Sequence, residues 1–326
     1  MSDHREVRIG WWLSSEEHDP RELVEHVRIA EATGFSTAMI SDHLQPWVRH
    51  QANASFVWTT LGAIAQATDT IEVGTGVTAM VHRMTPIVVA QAAATAGVMF
   101  DGRFFLGVGT GERLNEQPFG QRWSRTAERR NQLRESIEVL RKLWSGETVN
   151  HRGDHWVVEN LQLATRPAVP PPIYVAAAGP QGAALGGEVG DGLIGVAPDS
   201  RLVDIFRSSG GQGKPHLGQL HVSLAPSIDE ATERAWEWWP IGGVPTEVLT
   251  ELARPRDFEA VAKGASREAI HHSVVCAADT APIIGAIDRY VAAGYDTVYL
   301  HQIGPDQQRL ADAAAAELLP HYRIVR

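Results

Sequence analysis

Three side chains that can take up and release a proton stand where predicted strands end. Asp42 and His43 directly follow the predicted strand 37–40, and Glu112 comes shortly after the strand 104–108. Imidazoles and carboxylates serve as general acids and bases near neutral pH, and barrels of parallel strands build their sites at the carboxyl ends of the strands. The pattern therefore predicts an acid–base pair of His43 and Glu112. On residue type alone, helix capping by Asp42, packing of His43 and a solvated Glu112 remain open.

Glycines and other small residues occur at three predicted strand ends, in 74–79, 107–111 and 176–180. Without long side chains, these segments let a flat or phosphorylated ligand approach the backbone. The Gly-Val-Gly-Thr-Gly run at 107–111 is a weak dinucleotide fingerprint, because it does not follow the first strand and no helix pattern follows it. An ordinary turn at 74–79 and a close-packed helix after 176–180 are equally good interpretations.

Two histidine-containing groups resemble metal ligands in residue type only. His151, Asp154 and His155 lack the spacing of a known metal site, and so does the pair 271–272. We expect both groups to be structural and predict no metal site.

Strand and helix patterns alternate along the chain, which is typical of βα units. Pro20 behind Asp19 begins a first helix that ends at Gly34, and a longer helix runs from about 125 to 144. Eight strands suffice to close an α/β barrel of the (β/α)8 or TIM type, and an open doubly wound sheet is the alternative. The predicted strands are 7–13, 37–40, 71–77, 104–108, 173–177, 192–197, 221–225 and 297–301.

Two segments interrupt this alternation. Alternating residues and prolines near 147–172 predict an inserted hairpin, and a helical, tryptophan-rich stretch occupies 227–272. Long insertions in a barrel usually cover or build the active site. Three interpretations of its tryptophans stay open: they line an apolar pocket, pack in the core or contact another subunit. The tryptophans are Trp236, Trp238 and Trp239.

Composition excludes several classes of protein. The 326-residue chain has 29 Lys and Arg against 39 Asp and Glu, so its net charge of −10 lacks the positive field expected for binding nucleic acid or an anionic membrane. Cys276 is the only cysteine, residues 1–6 precede no signal-peptide core, and Gln91 interrupts the longest apolar stretch, 87–100. We expect a cytoplasmic protein without a membrane span. No linker divides it, which predicts one domain over 1–326.

Two motifs resemble a known enzyme family. Ser-Asp-His-Leu-Gln-Pro-Trp at 41–47 and Gly-Val-Gly-Thr-Gly-Glu at 107–112 are similar to those of the luciferase-like (β/α)8-barrel oxidoreductases that use the deazaflavin coenzyme F420. Within them, the chain is most similar to the subgroup of F420-dependent glucose-6-phosphate dehydrogenase. Shorter matches lie at 20–25, 143–146 and 190–192, so the likeness extends over nearly the whole chain. It implies hydride transfer between F420 and an alcohol or ketone.

The resemblance implies a role for each residue at the mouth of the barrel. Asp42 would hydrogen-bond the deazaflavin ring, and His43 would face the reacting carbon atoms of coenzyme and substrate. Trp47 would wall the substrate side, with Glu112 as the acid–base partner of His43. Glu16, after the first strand, matches a further active-site carboxylate. Whether His43 or Glu112 is the base stays open.

The resemblance also implies a coenzyme site. Gly76 and Val77 correspond to a cis peptide bond that backs the ring. The other residues that would hold the ring and its phosphorylated tail are Ala79, Thr110, Gly111, Asn115, Ala178, Gly179 and Gly182.

The substrate-binding residues depart from this subgroup. Two lysines and an arginine bind the sugar phosphate there, whereas Asp199, Ala260 and Ser273 occupy those positions here. None of them pairs with a phosphate, and Asp199 repels one. Lys263, close to the second position, supplies a single cation at most. We therefore expect an uncharged, non-phosphorylated, apolar alcohol or ketone as the substrate.

Two other functions share this scaffold. One is a luciferase-like monooxygenase that uses FMN and oxygen, and the other is a deazaflavin-binding protein without turnover. The presence of His43, Trp47, Glu112 and Glu16 together favours the F420-dependent dehydrogenase. The resemblance further implies a homodimer that acts on a small molecule.

Overall fold

The computed structural model describes residues 7–322, apart from the side chains of Thr246 and Glu247. Twelve strands occur in this part of the chain. They are β1 Arg8–Leu13, β2 Thr37–Ile40, β3 Glu72–Thr75, β4 Thr78–Ala79, β5 Phe104–Gly109, β6 Val149–Arg152, β7 Val157–Leu161, β8 Ile173–Ala176, β9 Gly192–Gly195, β10 His216–Leu224, β11 Val274–Ala277 and β12 Thr297–Gln302. Eight of them, β1, β2, β3, β5, β8, β9, β10 and β12, form a closed ring of parallel strands, because β9 pairs with β10 and β12 with β1. The predicted (β/α)8 barrel is confirmed.

Helices connect successive barrel strands and cover their outer face. The α-helices are α1 Pro20–Thr33, α2 Val57–Ala67, α3 Pro86–Met99, α4 Arg113–Glu116, α5 Thr126–Trp144, α6 Pro180–Val189, α7 Ser200–Phe206, α8 Ile228–Trp238, α9 Thr246–Leu249, α10 Pro255–Ala262, α11 Ala281–Ala292, α12 Gln307–Ala313 and α13 Leu319–His321. Turns of 3₁₀ or π geometry lie at Arg49–Gln51, Gln117–Phe119, Arg207–Gly211, Pro240–Gly243, Arg267–His272 and Ala314–Leu318. None of the described helices is long and apolar enough to cross a membrane.

The first helix shows how local sequence fixes an element next to the site. The Asp19 carboxylate accepts hydrogen bonds from the backbone N–H groups of Arg21 at 2.7 Å and Glu22 at 3.1 Å, and the Glu22 carboxylate accepts one from the Asp19 N–H. This capping box and Pro20 begin α1, and Gly34, with φ of 108°, ends it. The loop between β1 and α1 is therefore fixed at its helical end.

Two apolar layers stabilise the barrel. Trp12, Met39, Phe105 and Tyr299 pack together on the inner face of the strands, and the outer face packs against the helices in a larger core. A Cβ atom on Gly74 would lie 2.1 Å from the Phe105 ring, so glycine is required where this ring crosses the interior. Because side chains fill the barrel, a ligand site belongs at the strand ends.

Besides shifts of one or two residues at strand ends, three strands differ from the predictions. The strand predicted over 71–77 ends at Thr75, and the cis peptide bond between Gly76 and Val77 separates it from a further short strand, β4. β10 starts earlier than the predicted strand 221–225, because Gly218 weakens the strand pattern in its first half. β11 pairs with the second half of β10 but has four residues, too few for a pattern to predict after a helical insertion.

Both insertions have the expected character. The segment near 147–172 contains the antiparallel hairpin of β6 and β7, and 227–272 contains α8, α9 and α10. A one-turn helix, α4, follows the glycine-rich run at 107–111, where the sequence pattern predicts none. The single domain over 1–326 stays a prediction, and residues 1–6 lie outside the described part of the chain.

Candidate active site

The side chain of His43 lies between two carboxylates at the C-terminal end of the barrel. Its Nε2 atom is 3.3 Å from Glu16 Oε1 and 3.4 Å from Glu112 Oε2. The three residues follow different strands, β1, β2 and β5. The barrel therefore brings together three side chains that the sequence places far apart.

Glu16 is buried and held by hydroxyl groups. Its Oε2 atom accepts hydrogen bonds from Ser41 Oγ at 2.5 Å and Ser14 Oγ at 3.1 Å. Burial raises the pKa of this carboxyl, but the charge of His43 and the Ser41 hydrogen bond outweigh burial and hold the pKa below its usual value. Glu16 is therefore a carboxylate at neutral pH, and it presents a negative charge to His43 Nε2.

The pKa of Glu112 shifts in the opposite direction from that of Glu16. Its side chain is 37% exposed, whereas that of His43 is 10% exposed, so Glu112 reaches the open side of the mouth. Desolvation raises the pKa of Glu112; His43 opposes this rise, and the negative charges of Glu16 and Glu116 add to it. A carboxyl with a raised pKa beside an imidazole is suited to hold and release a proton during a reaction.

Asn115 connects the His43 loop to Glu112. Its Oδ1 accepts hydrogen bonds from the backbone N–H groups of Leu44 at 2.9 Å and Gln45 at 3.4 Å. Its Nδ2 lies 3.3 Å from Glu112 Oε2 and 3.3 Å from His43 Nδ1. The resemblance assigns Asn115 to the coenzyme, but in this structure its buried amide fixes the geometry of the acid–base group.

Asp42, next to His43 in the chain, is buried and has two side-chain partners. Its carboxylate has no exposed surface, pairs with Arg83 and accepts a hydrogen bond from Thr78 Oγ1 at 2.7 Å. Among the described residues, Arg83 Nε and Glu116 Oε1 are buried without a partner, and Glu116 Oε2 accepts the Arg83 backbone N–H at 2.9 Å. Asp42 therefore anchors Arg83 and Thr78, and a ring reaches its carboxylate only if one of these moves.

Small residues form a shelf beside this group. β4 pairs with β5 so that Ala79 lies next to Gly109, and a Cβ atom on Gly109 would be 2.7 Å from Val77 Cγ2. The cis peptide expected from the resemblance joins Gly76 to Val77. Gly111 has φ of 74°, a backbone conformation that favours glycine. Backbone without long side chains suits the face of a flat ring, so these residues fit a flavin or deazaflavin.

The residues expected at the coenzyme tail lie just after the neighbouring strand, β8. Ala178, Gly179 and Gly182 follow β8, where Gly179 is the N-cap of α6. β8 pairs with β5, which leads into Thr110. A Cβ atom on Gly179 would meet nothing within 4 Å, so the space above this turn is open. The surface of small residues therefore extends from β5 to the turn at Gly179, which leaves room for the phosphorylated tail of a coenzyme.

Aromatic side chains form one wall of the mouth. The ring centroid of Trp47 lies 4.8 Å from that of His43, 5.3 Å from Phe258 and 6.3 Å from Trp239. Phe258 belongs to α10, and Trp239 follows α8, so the second insertion covers the site. The two remaining tryptophans of the insertion pack at the edge of the same apolar cluster: Trp236 and Trp238.

The three positions of the expected phosphate clamp hold no cation. Asp199 caps α7, and its carboxylate pairs with Arg201, whose side chain is 85% exposed. Ser273 Oγ donates a hydrogen bond to a backbone carbonyl at 2.7 Å. Ala260 and Lys263 are exposed at the end of α10. These contacts do not form an anion site.

The histidines of the hairpin have structural contacts. His151 Nε2 lies 3.0 Å from Glu135 Oε1, and the other oxygen of Glu135 accepts the backbone N–H of His155. The contacts tie the hairpin to α5. Among residues 7–322, no group of three or more His, Cys, Asp or Glu side chains is arranged to hold a metal ion.

Sequence reasoning missed a second carboxylate–imidazole pair. Glu17 Oε1 lies 2.9 Å from His301 Nε2, and both side chains are buried. His301 ends the last predicted strand, a position that could have marked it. Glu17 gave no such signal, because two adjacent carboxylates in a loop are usually solvated.

Comparison with known proteins places the chain in a family. Residues 7–297 match the luciferase-like monooxygenase family. The chain is 33% identical to the F420-dependent glucose-6-phosphate dehydrogenase of Segniliparus rotundus, over 97% of this chain and 98% of that protein. It is 35% identical to the F420-dependent hydroxymycolic acid dehydrogenase of Mycobacterium tuberculosis, over 97% of this chain and 88% of that protein.

A solved structure shares both the fold and part of the sequence. An F420-dependent secondary alcohol dehydrogenase, in complex with an F420-acetone adduct, superposes with a TM-score of 0.91 at 28% identity, covering 98% of this chain and 99% of that chain. The expected resemblance to F420-dependent oxidoreductases is thereby confirmed. The chain belongs to the luciferase-like family of (β/α)8-barrel oxidoreductases.

Proposed function

We propose that this protein is an F420-dependent dehydrogenase that interconverts an uncharged secondary alcohol and its ketone. The observation that carries the proposal is the position of His43 Nε2 between Glu16 and Glu112, beside an aromatic wall. Relatives named as F420-dependent dehydrogenases support the coenzyme and the reaction at a hydroxyl group.

The pair of His43 and Glu112 handles the hydroxyl proton. Oxidation of an alcohol removes a hydride from carbon and a proton from oxygen, and a base within hydrogen-bond reach takes the proton. His43 Nδ1 lies 3.2 Å from the Gln45 carbonyl and 3.3 Å from Asn115 Nδ2, which orient the ring, and Nε2 faces Glu112 at 3.4 Å. At this distance the two side chains can share the proton taken from the substrate hydroxyl.

The shelf of small residues supports binding of a flat coenzyme. When bound, F420 accepts or donates the hydride at its ring. Asp42 and Asn115 hold the loops around the shelf through Arg83 and through the backbone of Leu44. We assign the ring and tail to these residues: Gly76, Val77, Ala79, Thr110, Gly111, Ala178, Gly179 and Gly182.

An uncharged substrate is supported by the walls of the mouth. Trp47, Trp239 and Phe258 present aromatic surface next to His43, and burying a phosphate there without a cation is unfavourable. Asp199, in place of a clamp lysine, is already paired with Arg201. We therefore assign the pocket to an apolar secondary alcohol or ketone.

The coenzyme is tested by fluorescence titration of the purified protein with F420 and, separately, with FMN. We expect saturable binding of F420 and weaker or no binding of FMN. Binding of FMN without binding of F420 would support the monooxygenase and reject the proposal.

The substrate is tested by steady-state oxidation with F420. The panel contains 2-propanol, longer secondary alcohols and glucose 6-phosphate. We expect turnover of the alcohols, with glucose 6-phosphate neither oxidised nor inhibitory at millimolar concentration. Efficient oxidation of glucose 6-phosphate would overturn the assignment of the substrate but not of the coenzyme. Binding of F420 without turnover of any alcohol or ketone would favour a carrier protein.

We also propose that the protein is a homodimer. Exposed apolar side chains on and beside α2 and α3 support this proposal, because Phe56, Val88 and Met99 are 51%, 48% and 36% exposed. Light scattering after gel filtration is expected to give twice the chain mass of 35.5 kDa. A monomer at micromolar concentration would reject it.

A further inference from the structure

A second buried carboxylate lies next to the acid–base group. Glu17 Oε1 is 2.9 Å from His301 Nε2, and Glu17 Oε2 accepts the backbone N–H of Gly304 at 2.6 Å. The hydroxyl of Ser14 is a third donor, 3.4 Å from Oε1. Donors around a buried carboxylate stabilise its charged form, so Glu17 carries a negative charge.

His301 holds this carboxylate through one ring nitrogen. Its Nε2 atom donates to Glu17, and its Nδ1 atom is buried without a hydrogen-bond partner among the described residues. The Glu17 carboxylate is therefore fixed in place by the imidazole and by the Gly304 N–H.

Ser14 brings this charge next to the catalytic group. Its hydroxyl lies 3.1 Å from Glu16 Oε2 and 3.4 Å from Glu17 Oε1, and its single proton serves one carboxylate at a time. Two buried carboxylates at this separation repel each other in a medium of low dielectric constant. A positive charge on His43, 3.3 Å from Glu16, reduces that repulsion.

One aromatic layer covers both carboxylate–imidazole pairs. The ring centroid of Trp239 is 4.9 Å from that of His301 and 6.3 Å from that of Trp47, which lies 4.8 Å from His43. Where this layer keeps water away from Glu16–His43 and from Glu17–His301, the electrostatic interaction between these two pairs is stronger. The two pairs therefore belong to one electrostatic unit.

We propose that Glu17, held by His301, is a positioning residue for the reaction: its fixed negative charge behind Glu16 favours a proton on the His43–Glu112 pair. The pair is thereby a stronger base toward the substrate hydroxyl. No step is added, because the hydroxyl proton still goes to the His43–Glu112 pair. The catalytic consequence rests on the proposed function, whereas the coupling between charges does not.

The other titratable groups around this unit do not provide the effect. Burial lowers the pKa of His18 to about 3 and, at His221, lowers the pKa well below its usual value, so both rings are neutral. Arg234 on α8 lies 3.7 Å from Asp306, which compensates its charge. Glu112 is part of the acid–base pair itself, His26 and Glu116 lie further out, and all variants below retain these three groups.

An NMR titration of ¹³C-labelled histidines tests the coupling without turnover, with His43 assigned by its loss in His43→Gln. Glu17→Gln removes the charge at constant shape, and we expect it to lower the pKa of His43 by at least about 0.5 unit. Glu17→Asp keeps the charge and is expected to stay within about 0.2 unit of wild type. The control is Glu72→Gln, whose partner Arg8 lies at the start of β1, and it is expected to leave His43 unchanged.

The same variants are assayed for kcat/KM against pH, with 2-propanol and F420. We expect the acid limb to move to lower pH in Glu17→Gln and to be restored in Glu17→Asp. An unchanged His43 titration in Glu17→Gln, or equal shifts in both variants, would overturn the proposal, since a merely structural role does not distinguish them. If wild type turns over no alcohol while the His43 shift remains, the coupling is supported and the proposed function fails.

A second variant covers the case in which Glu17→Gln does not fold. His301→Leu removes the imidazole donor and leaves Glu17 with the Gly304 and Ser14 donors, so the charged form of Glu17 is less favoured and we expect the pKa of His43 to fall in this variant as well. Circular dichroism reports whether each variant is folded. A folded His301→Leu variant with an unshifted His43 would contradict the proposal.

Discussion

Glu16 and Glu17 are consecutive in the chain, yet their carboxylates face two different imidazoles. Glu16 Oε1 is 3.3 Å from His43 Nε2, and Glu17 Oε1 is 2.9 Å from His301 Nε2. One loop, between β1 and α1, thus places two buried charges at the mouth of the barrel. Their burial is unfavourable unless imidazole, hydroxyl and amide partners offset it, so the partners of each carboxylate are fixed by the fold.

Loss of either member of the acid–base pair is expected to slow the reaction. His43→Ala and Glu112→Gln remove the two groups that share the hydroxyl proton, and each is expected to lower kcat by at least about tenfold. The affinity for F420 should be largely kept, because neither side chain belongs to the shelf. Steady-state oxidation of 2-propanol and fluorescence titration with F420 measure the two effects separately.

His50→Ala is the control for this pair of variants. His50 is also a histidine near the second insertion, but its ring packs on Trp238, away from Glu16 and Glu112. We expect near-normal turnover in this control. Near-normal turnover in His43→Ala or Glu112→Gln instead would remove that residue from the mechanism.

Glu112→Gln is expected to be more stable than wild type at pH 8. The folded protein raises the pKa of Glu112, chiefly by desolvation, so the unfolded chain releases this proton at lower pH than the folded one. The resulting cost to stability is absent below the ordinary glutamate pKa, grows as pH rises to the folded-state pKa and is complete above it. Thermal melts should show a higher Tm for the variant at pH 8 and no difference at pH 4. An equal difference at both pH values would point to packing rather than charge.

The sequence predicts the barrel and the main acid–base group because both depend on short-range patterns. Strand ends mark where side chains meet in a barrel, and that rule alone pairs His43 with Glu112. Resemblance adds Glu16, which no pattern marks. The cis peptide bond at Gly76 and Val77 likewise follows from resemblance, since backbone isomers of non-proline residues leave no pattern in the sequence.

Other features depend on three-dimensional packing and escape sequence reasoning. The resemblance assigns Asp42 to the ring, whereas its pairing with Arg83, 41 residues later in the chain, leaves no pattern in the sequence. Glu17 and His301 are 284 residues apart, and their contact arises because β12 closes the barrel against β1. Only the folded barrel shows that these side chains are paired.

Asn115→Ala is expected to reduce kcat more than affinity for the coenzyme. The Asn115 amide holds the backbone of Leu44 and Gln45 and touches both His43 and Glu112. Its removal takes the acceptor from two partly buried N–H groups, which costs about 0.5–1.5 kcal/mol of stability, and loosens the distance between base and partner. Chemical denaturation, kcat and F420 titration provide the three readouts. A loss confined to F420 affinity would instead support the coenzyme contact that the resemblance implies for Asn115.

The size of the substrate pocket is expected to depend on Trp239. Trp239→Leu keeps an apolar side chain but removes the ring that contacts Trp47 and His301. The wider pocket should raise KM for 2-propanol by about tenfold, since lost packing around a small ligand is worth about 1–3 kcal/mol. The ratio of kcat/KM for bulkier secondary alcohols to that for 2-propanol should rise. Trp238→Leu is the matched control, because this neighbouring ring packs on His50 at 4.6 Å and not on Trp47. Equal changes in substrate preference in both variants would show that the insertion acts through its overall stability, and not through the wall that Trp239 forms.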